Sequence, residues 1–206
     1  MTNLNQKWNL ILGSQSPRRK ELISYLNIPF KIEIPDVEEV SSSILPKDVA
    51  IDIATLKALK IADQQRNENY FIICSDTIVV LENKIFGKPK GKYEAKKILE
   101  ELSGKTHEVI TAVVFCYFDF QTNQRKFFKF FDTTKVTFSK ILPNLMEEYL
   151  ATNDSLDKAG AYGIQGPGLV FIEKIEGSYS NVVGFPLQKI IFHLENLLGE
   201  NFKTRF

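Results

Sequence analysis

The chain has 206 residues, 44% of them hydrophobic and 25% charged, which suits one folded domain, or one core with a smaller lobe, and excludes a disordered chain. A formal net charge of +1 supplies no field for broad binding to nucleic acid or an acidic membrane, so any anion must be recognised locally. No run of about 18 apolar residues could span a bilayer, residues 1–8 lack the cationic start and apolar stretch of a secretion signal, and Cys74 and Cys116 each sit in an apolar run as free buried thiols, so a cytoplasmic protein is expected.

Along the chain, Trp8 to Leu12 reads as a buried strand ending at Gly13. Ser16 and Pro17 open a helix as N-cap and first helical residue, with Leu22, Ile23 and Leu26 as its apolar stripe and Asn27 as its stop. Phe30 to Ile34 alternates Phe30, Ile32 and Ile34 on one side of a strand. Pro46 to about Gln65 is the longest helical pattern, and Tyr70 to Cys74 a second buried strand, followed by Ser75-Asp76-Thr77 and the apolar run Ile78 to Leu81. Asn83 marks a turn, and Lys88-Pro89 closes the segment before a helix over Tyr93 to Leu102. Val109 to Phe120 and Phe127 to Phe138 form a long hairpin about the polar turn Gln121 to Arg125. Pro143 to Leu150 is a short helix, Leu169 to Ile175 a strand and Pro186 to Leu198 a final helix. The order predicts a single α/β domain over residues 1–206 with a mixed sheet.

Several positions break the local rules. Arg18 and Arg19 fall in the first turn of a helix, whose partial positive charge disfavours cations. They are either a solvated surface pair or clamps on an anion docked at the helix N-terminus, with Ser14 and Ser16 as added donors. Ala50, Ile53, Ala54, Ala58 and Ile61 make an apolar stripe, and at about 100° per residue Lys57 projects near its middle, where it must either snorkel to the rim or meet a negative charge. Asp76 follows Tyr-Phe-Ile-Ile-Cys and so sits at the carboxyl end of a strand, the edge where open α/β sheets bind ligands; it could equally cap a turn. Asp36, Glu38 and Glu39 read as a solvated loop unless one of them faces Asp76, when the two carboxylates would suit Mg²⁺.

Lys88 adds a cation on a backbone pinned by Pro89. Gly160, Gly163, Gly166 and Gly168 either let the backbone approach a ligand, with Gln165 as a reader, or make a structural turn. His107 and His193 read as structural or solvated, and neither Gly104-Lys105-Thr106 nor Gly160 to Gly166 fits a phosphate loop.

In this order, Ser14 to Arg19, Glu38-Glu39, Ala54 to Ala58 with Lys57, Ser75-Asp76-Thr77 with Lys88-Pro89, Leu102 to His107, Asp157 to Gly166 and Gly177 to Gly184 resemble the Maf family of nucleoside triphosphate pyrophosphatases. The resemblance implies a mixed twisted sheet with flanking helices, in two lobes around a central cleft, as in inosine triphosphatases. It implies hydrolysis of a nucleoside triphosphate to monophosphate and pyrophosphate with a divalent metal, Mg²⁺ or Mn²⁺. Asp76 then matches the proton acceptor, and Arg18, Thr77 and Gln165 match positions linked to substrate choice. Threonine after the aspartate resembles the branch acting on dTTP and UTP, where the sister branch, acting on 7-methyl-GTP, usually has glutamine. Gly13 and Ser75 stand where alanine is commoner, and Phe185 where leucine is commoner.

The resulting expectation has Asp76 and Glu39 as the carboxylate and metal pair, and Arg18, Arg19, Lys57 and Lys88 as cations on the phosphates. Ser14, Thr77 and Gln165 would orient the nucleotide. The alternative is a nucleotide-binding regulator of septum formation that needs no catalysis. No nucleic-acid or membrane partner is expected, and a homodimer is left open.

Overall fold

The computed structural model describes residues 8–66 and 68–199, so the expectation of no signal segment at the N-terminus lies, apart from Trp8, outside the described residues. Seven strands form one mixed sheet: β1 (Asn9–Gly13), β2 (Phe30–Glu33), β3 (Tyr70–Leu81), β4 (Lys84–Phe86), β5 (Thr106–Asp119), β6 (Gln124–Phe138) and β7 (Ile172–Glu176). Their order is β2-β1-β3-β5-β6-β7, with β4 paired to β3. Only the β1 pairings, to β2 and β3, are parallel; the remainder of the ladder is antiparallel. Helices α1 (Pro17–Ser24), α2 (Pro46–Gln64), α3 (Lys92–Leu102), α4 (Pro143–Ala151), α5 (Tyr179–Val183) and α6 (Leu187–Leu198) flank it.

Three apolar clusters explain how the layers hold. On one face, the α2 stripe of Ala50, Ala54, Ala58 and Ile61 packs on Ile72, Cys74, Ile78 and Val80 of β3 and on alternate residues of β5. On the other, Leu22 and Ile23 of α1, Leu26 just after it, and Ile190 and Leu194 of α6 cover Phe71, Ile73, Val113 and Phe115. A third cluster joins α3, α4, Phe138 and Phe171 to Val79 and Leu81 and builds a smaller lobe at the antiparallel end. Period-2 alternation along β3 sends its side chains to these different partners.

Three local expectations change. Leu169 lies in a 3-10 turn over Pro167–Phe171, and only Ile172–Glu176 is strand. Ile32 and Ile34 are exposed: β2 is an edge strand, and Ile34 lies past its end at Glu33. The third concerns Asp76: β3 runs unbroken from Tyr70 to Leu81, so the aspartate lies inside a strand rather than at its end.

Candidate functional site

β3 supplies the frame. Tyr70, Ile72, Cys74, Ile78 and Val80 share the α2 face, and Asp76 takes its place in that row, buried and pointed at α2. Lys57, in the middle of the α2 stripe, meets it there. Its ammonium lies 2.7 Å from Asp76 Oδ1 and 2.7 Å from Glu39 Oε1, so one cation bridges the two carboxylates. The two readings of Lys57 resolve in favour of a negative charge. Burial raises the pKa of Glu39, but its bond to Lys57, helped by Lys57, Lys88 and Arg19 charge, brings it below the ordinary value. Ser41 and Ser43 both donate to Asp52 of α2, at 2.6 and 2.7 Å, which fastens the Glu39 loop beside the helix.

A gap in the sheet explains why a ligand has room. β1 pairs with β3 only as far as Cys74, and β4 begins pairing at Val79. From Ser75 to Ile78, that edge of β3 has no strand beside it, and its buried backbone groups need other partners. Arg19 supplies one. Its Nη1 donates to the Ser75 carbonyl at 2.9 Å, its Nε to the Gly184 carbonyl at 2.9 Å and its Nη2 to Thr77 Oγ1 at 3.0 Å. Burial lowers the Arg19 pKa, partly offset by the charge of Asp76. Thr77 also shares a hydrogen bond with Thr111, which donates on to the Asn181 carbonyl, so Thr77 is held in place by both sides. Arg19 lines the cleft as well, with its guanidinium bonded to these protein oxygens.

The remaining predicted residues line one cleft of about 890 Å³: Ser14, Arg18, Lys88 and Gln165, together with Glu39, Lys57, Asp76 and Thr77. Ser14 Oγ accepts from the Ser16 amide at 3.1 Å, shaping the turn into α1. Ser16 itself makes no side-chain cap, and the helix N-terminus opens on the cleft. Arg18 reaches Asp157 through Nη1 and Nη2 at 3.3 and 3.4 Å. Lys88 is exposed on the cleft wall and has no hydrogen-bond or ion-pair partner among the described residues. Gly160, at φ +69, presses on Val79, where a Cβ would come within 2.7 Å of Cγ2, and its amide donates to the Gly87 carbonyl. That contact ties the segment before Gln165 to the strand that carries Asp76.

The Maf-like protein family model matches residues 9–197. The chain belongs to this family. A dTTP/UTP pyrophosphatase of Bacillus thuringiensis subsp. konkukian (strain 97-27) is 41% identical over 187 residues, covering 90% of this chain and 94% of its own. The dTTP/UTP pyrophosphatase of Bacillus cereus (strain ATCC 10987) is 40% identical over 187 residues, with 90% and 88% covered. A solved nucleoside-triphosphatase / dITP/XTP pyrophosphatase from Mycobacterium abscessus is a loose structural likeness, with a TM-score of 0.39 and 11% identity over 65% of this chain and 75% of that one.

In this Maf-like chain the donor set fits a hard divalent cation. Lys57 already bridges two carboxylates, which marks the spot as one where positive charge is held, and neither Asp76 Oδ2 nor Glu39 Oε2 has a hydrogen-bond partner among the described residues. Among the described residues no group of three or more His, Cys, Asp or Glu could hold a metal ion; two carboxylates with substrate oxygens and water are what Mg²⁺ accepts.

Sequence reasoning missed Asp157 and Lys158 as cleft residues. Lys158 is buried, and its ammonium bonds the Asp154 carbonyl at 2.6 Å, Asp154 Oδ1 at 2.9 Å and Asp157 Oδ1 at 2.6 Å. The signal available was two aspartates, Asp154 and Asp157, spaced to meet a lysine at the edge of the small run Ala159 to Ala161. His107 is buried, as a structural residue: Nε2 pairs with Tyr162 Oη at 2.8 Å, and the ring packs edge-on against Phe138.

Proposed function

We propose that this chain hydrolyses dTTP and UTP to the monophosphate and pyrophosphate, as a house-cleaning enzyme of the nucleotide pool. The observation that carries it is the Lys57 ammonium set between Asp76 and Glu39, in a cleft that also presents Arg18 and Lys88. A triphosphate brings about four negative charges, and cations grouped in one cleft answer that need. Relatives named dTTP/UTP pyrophosphatase at 41% identity, and Thr77 rather than glutamine after Asp76, support the pyrimidine choice.

In the reading we favour, Asp76 takes the proton from a water aimed at the α-phosphorus. The new bond runs from the water oxygen to that phosphorus, the α–β anhydride bond breaks, and pyrophosphate leaves with the electron pair. Lys57 holds Asp76 and Glu39 in register, Arg18 and Lys88 receive the phosphate chain, and Thr77 and Gln165 orient the nucleoside. Arg19, bound to Ser75, Thr77 and Gly184, keeps the gap edge of β3 in shape. Asp76 and Glu39 would hold Mg²⁺ or Mn²⁺, which when bound neutralises phosphate charge and makes water more acidic. We place the protein in the cytoplasm, a reading supported by two buried free cysteines.

Incubation with dTTP or UTP and Mg²⁺ or Mn²⁺ should yield monophosphate and pyrophosphate in equal amounts. Asp76→Asn should lower kcat by about 10²–10⁴ with the fold retained. An unchanged rate in that variant would remove Asp76 from the chemistry. Stepwise release of single phosphates would indicate a phosphatase, and binding without cleavage a regulator.

A further inference from the structure

One ion pair crosses the cleft, and only its arginine has a part in the chemistry above. Arg18, on the first turn of α1, and Asp157, in the turn after α4, are 139 residues apart in sequence and meet at 3.3 Å. Among the described residues Asp157 is the only partner of the Arg18 guanidinium. Asp157 divides its two oxygens: Oδ2 goes to Arg18 and Oδ1 to Lys158. Lys158 is a fixed mount, buried and held from the other side by the Asp154 carbonyl and carboxylate.

We infer that Asp157 is a stand-in for phosphate, occupying Arg18 in the free protein so that an incoming triphosphate must displace a carboxylate to engage the arginine. The exchange needs little work. At 60% side-chain exposure the carboxylate is bathed in water, its bonds to Arg18 are long, and losing them leaves it paired to Lys158. Burial raises the Asp157 pKa, but Lys158 and Arg18 outweigh it and keep the group ionised, so the competition is between two anions. The consequence is selectivity by charge: a ligand with a chain of phosphates outbids the carboxylate, and a ligand with one phosphate gains less. This inference rests on the proposed function, in which Arg18 receives phosphate.

The test uses inorganic tripolyphosphate as the probe, with binding measured by calorimetry in the absence of added metal. Asp157→Asn removes the competing charge at constant shape and should bind the probe about two- to five-fold more tightly than the parent, the fold-change that an exposed ion pair corresponds to. Asp157→Ser should act in the same direction. The gain should vanish when Arg18→Ala is added to either variant. Equal or weaker binding in both single variants overturns the inference, as does a gain that survives without Arg18, or no measurable binding by any of the proteins. A structural role for Asp157 would weaken binding instead. Hydrolysis of dTTP by the parent is read separately, so failure of the activity and failure of the stand-in are distinguishable.

Discussion

Arg18 and Arg19 are neighbours with opposite fates. Both line the cleft, but Arg18 is bound loosely to one carboxylate, whereas Arg19 gives its fork to Ser75, Thr77 and Gly184. The fork geometry matters because three acceptors in three directions need a planar group with several fixed donors. Arg19→Lys should therefore destabilise the protein by about 2–4 kcal/mol, since a single ammonium leaves buried acceptors unmet. Arg18→Lys should cost less than about 1 kcal/mol. Urea unfolding of the two variants checks both, and equal losses would contradict the division of roles. The helix-terminus reading treats the pair as equivalent, and only the family resemblance sets Arg18 apart, as a substrate-choice position. Nothing in the adjacent letters says which side chain faces the sheet, because that depends on where β1 stops relative to β3.

Helix α2 and strand β3 carry most of what could be read in advance. The helical stripe from Ala50 to Ile61 places Lys57 in the apolar face, whereas the side that Asp76 shares with Ile72 and Cys74 follows only from a β3 that runs on through it. What could not be read was the length of β3. Ser75-Asp76-Thr77 interrupts an apolar run with three polar residues, and polar residues ordinarily mark a strand end. Here each has a partner that burial requires: Gly184 for Ser75, Lys57 for Asp76, Arg19 and Thr111 for Thr77. The exposure of Ile32 and Ile34 was hidden for a related reason, since alternation gives the side of a strand but not whether another layer covers it.

The β1–β3 ladder adds a packing rule of its own. Gly13 pairs with Cys74, and a Cβ at Gly13 would fall 2.2 Å from Cys74 Sγ and 2.6 Å from Ile61 Cδ1. The absence of a side chain at Gly13 is thus matched to the bulk beside it. Gly13→Ala should lower stability by about 1–3 kcal/mol through overpacking. Adding Cys74→Ala should recover at least about 1 kcal/mol of that loss, a coupling that a double-mutant cycle in denaturant reads directly. Strict additivity would mean that Ile61 or the backbone, rather than the thiol, sets the limit.

For the molecule as a whole, the small lobe contains a titrating element. His107 is buried against Phe138 and Tyr162, and burial pushes its pKa down from 6.5 to about 4. The fold holds the ring neutral, so the unfolded chain takes up a proton first. Stability is therefore fully present above about pH 6.5 and falls as the pH drops towards 4, by roughly 3 kcal/mol across that window. Unfolding free energies at pH 7 and pH 4.5 should show this loss, and His107→Asn should flatten it. An equal slope in that variant would assign the acid sensitivity to carboxylates instead.

The break in the sheet edge between Cys74 and Val79 has a consequence for amide hydrogen exchange. Peptide groups along a strand alternate in direction, so the amide of Thr77 lies on the same edge as the Ser75 carbonyl that Arg19 takes. Elsewhere along β3 that edge is sealed by β1 or β4, and its protons should be released only when the sheet opens. At Thr77 there is no ladder to seal it. Exchange there should be fast in the free protein and slow when a nucleoside triphosphate fills the slot, while flanking Ile72 and Ile73 change little. The binding site would then be visible as the one place where a central strand behaves, until its ligand arrives, like the rim of a sheet.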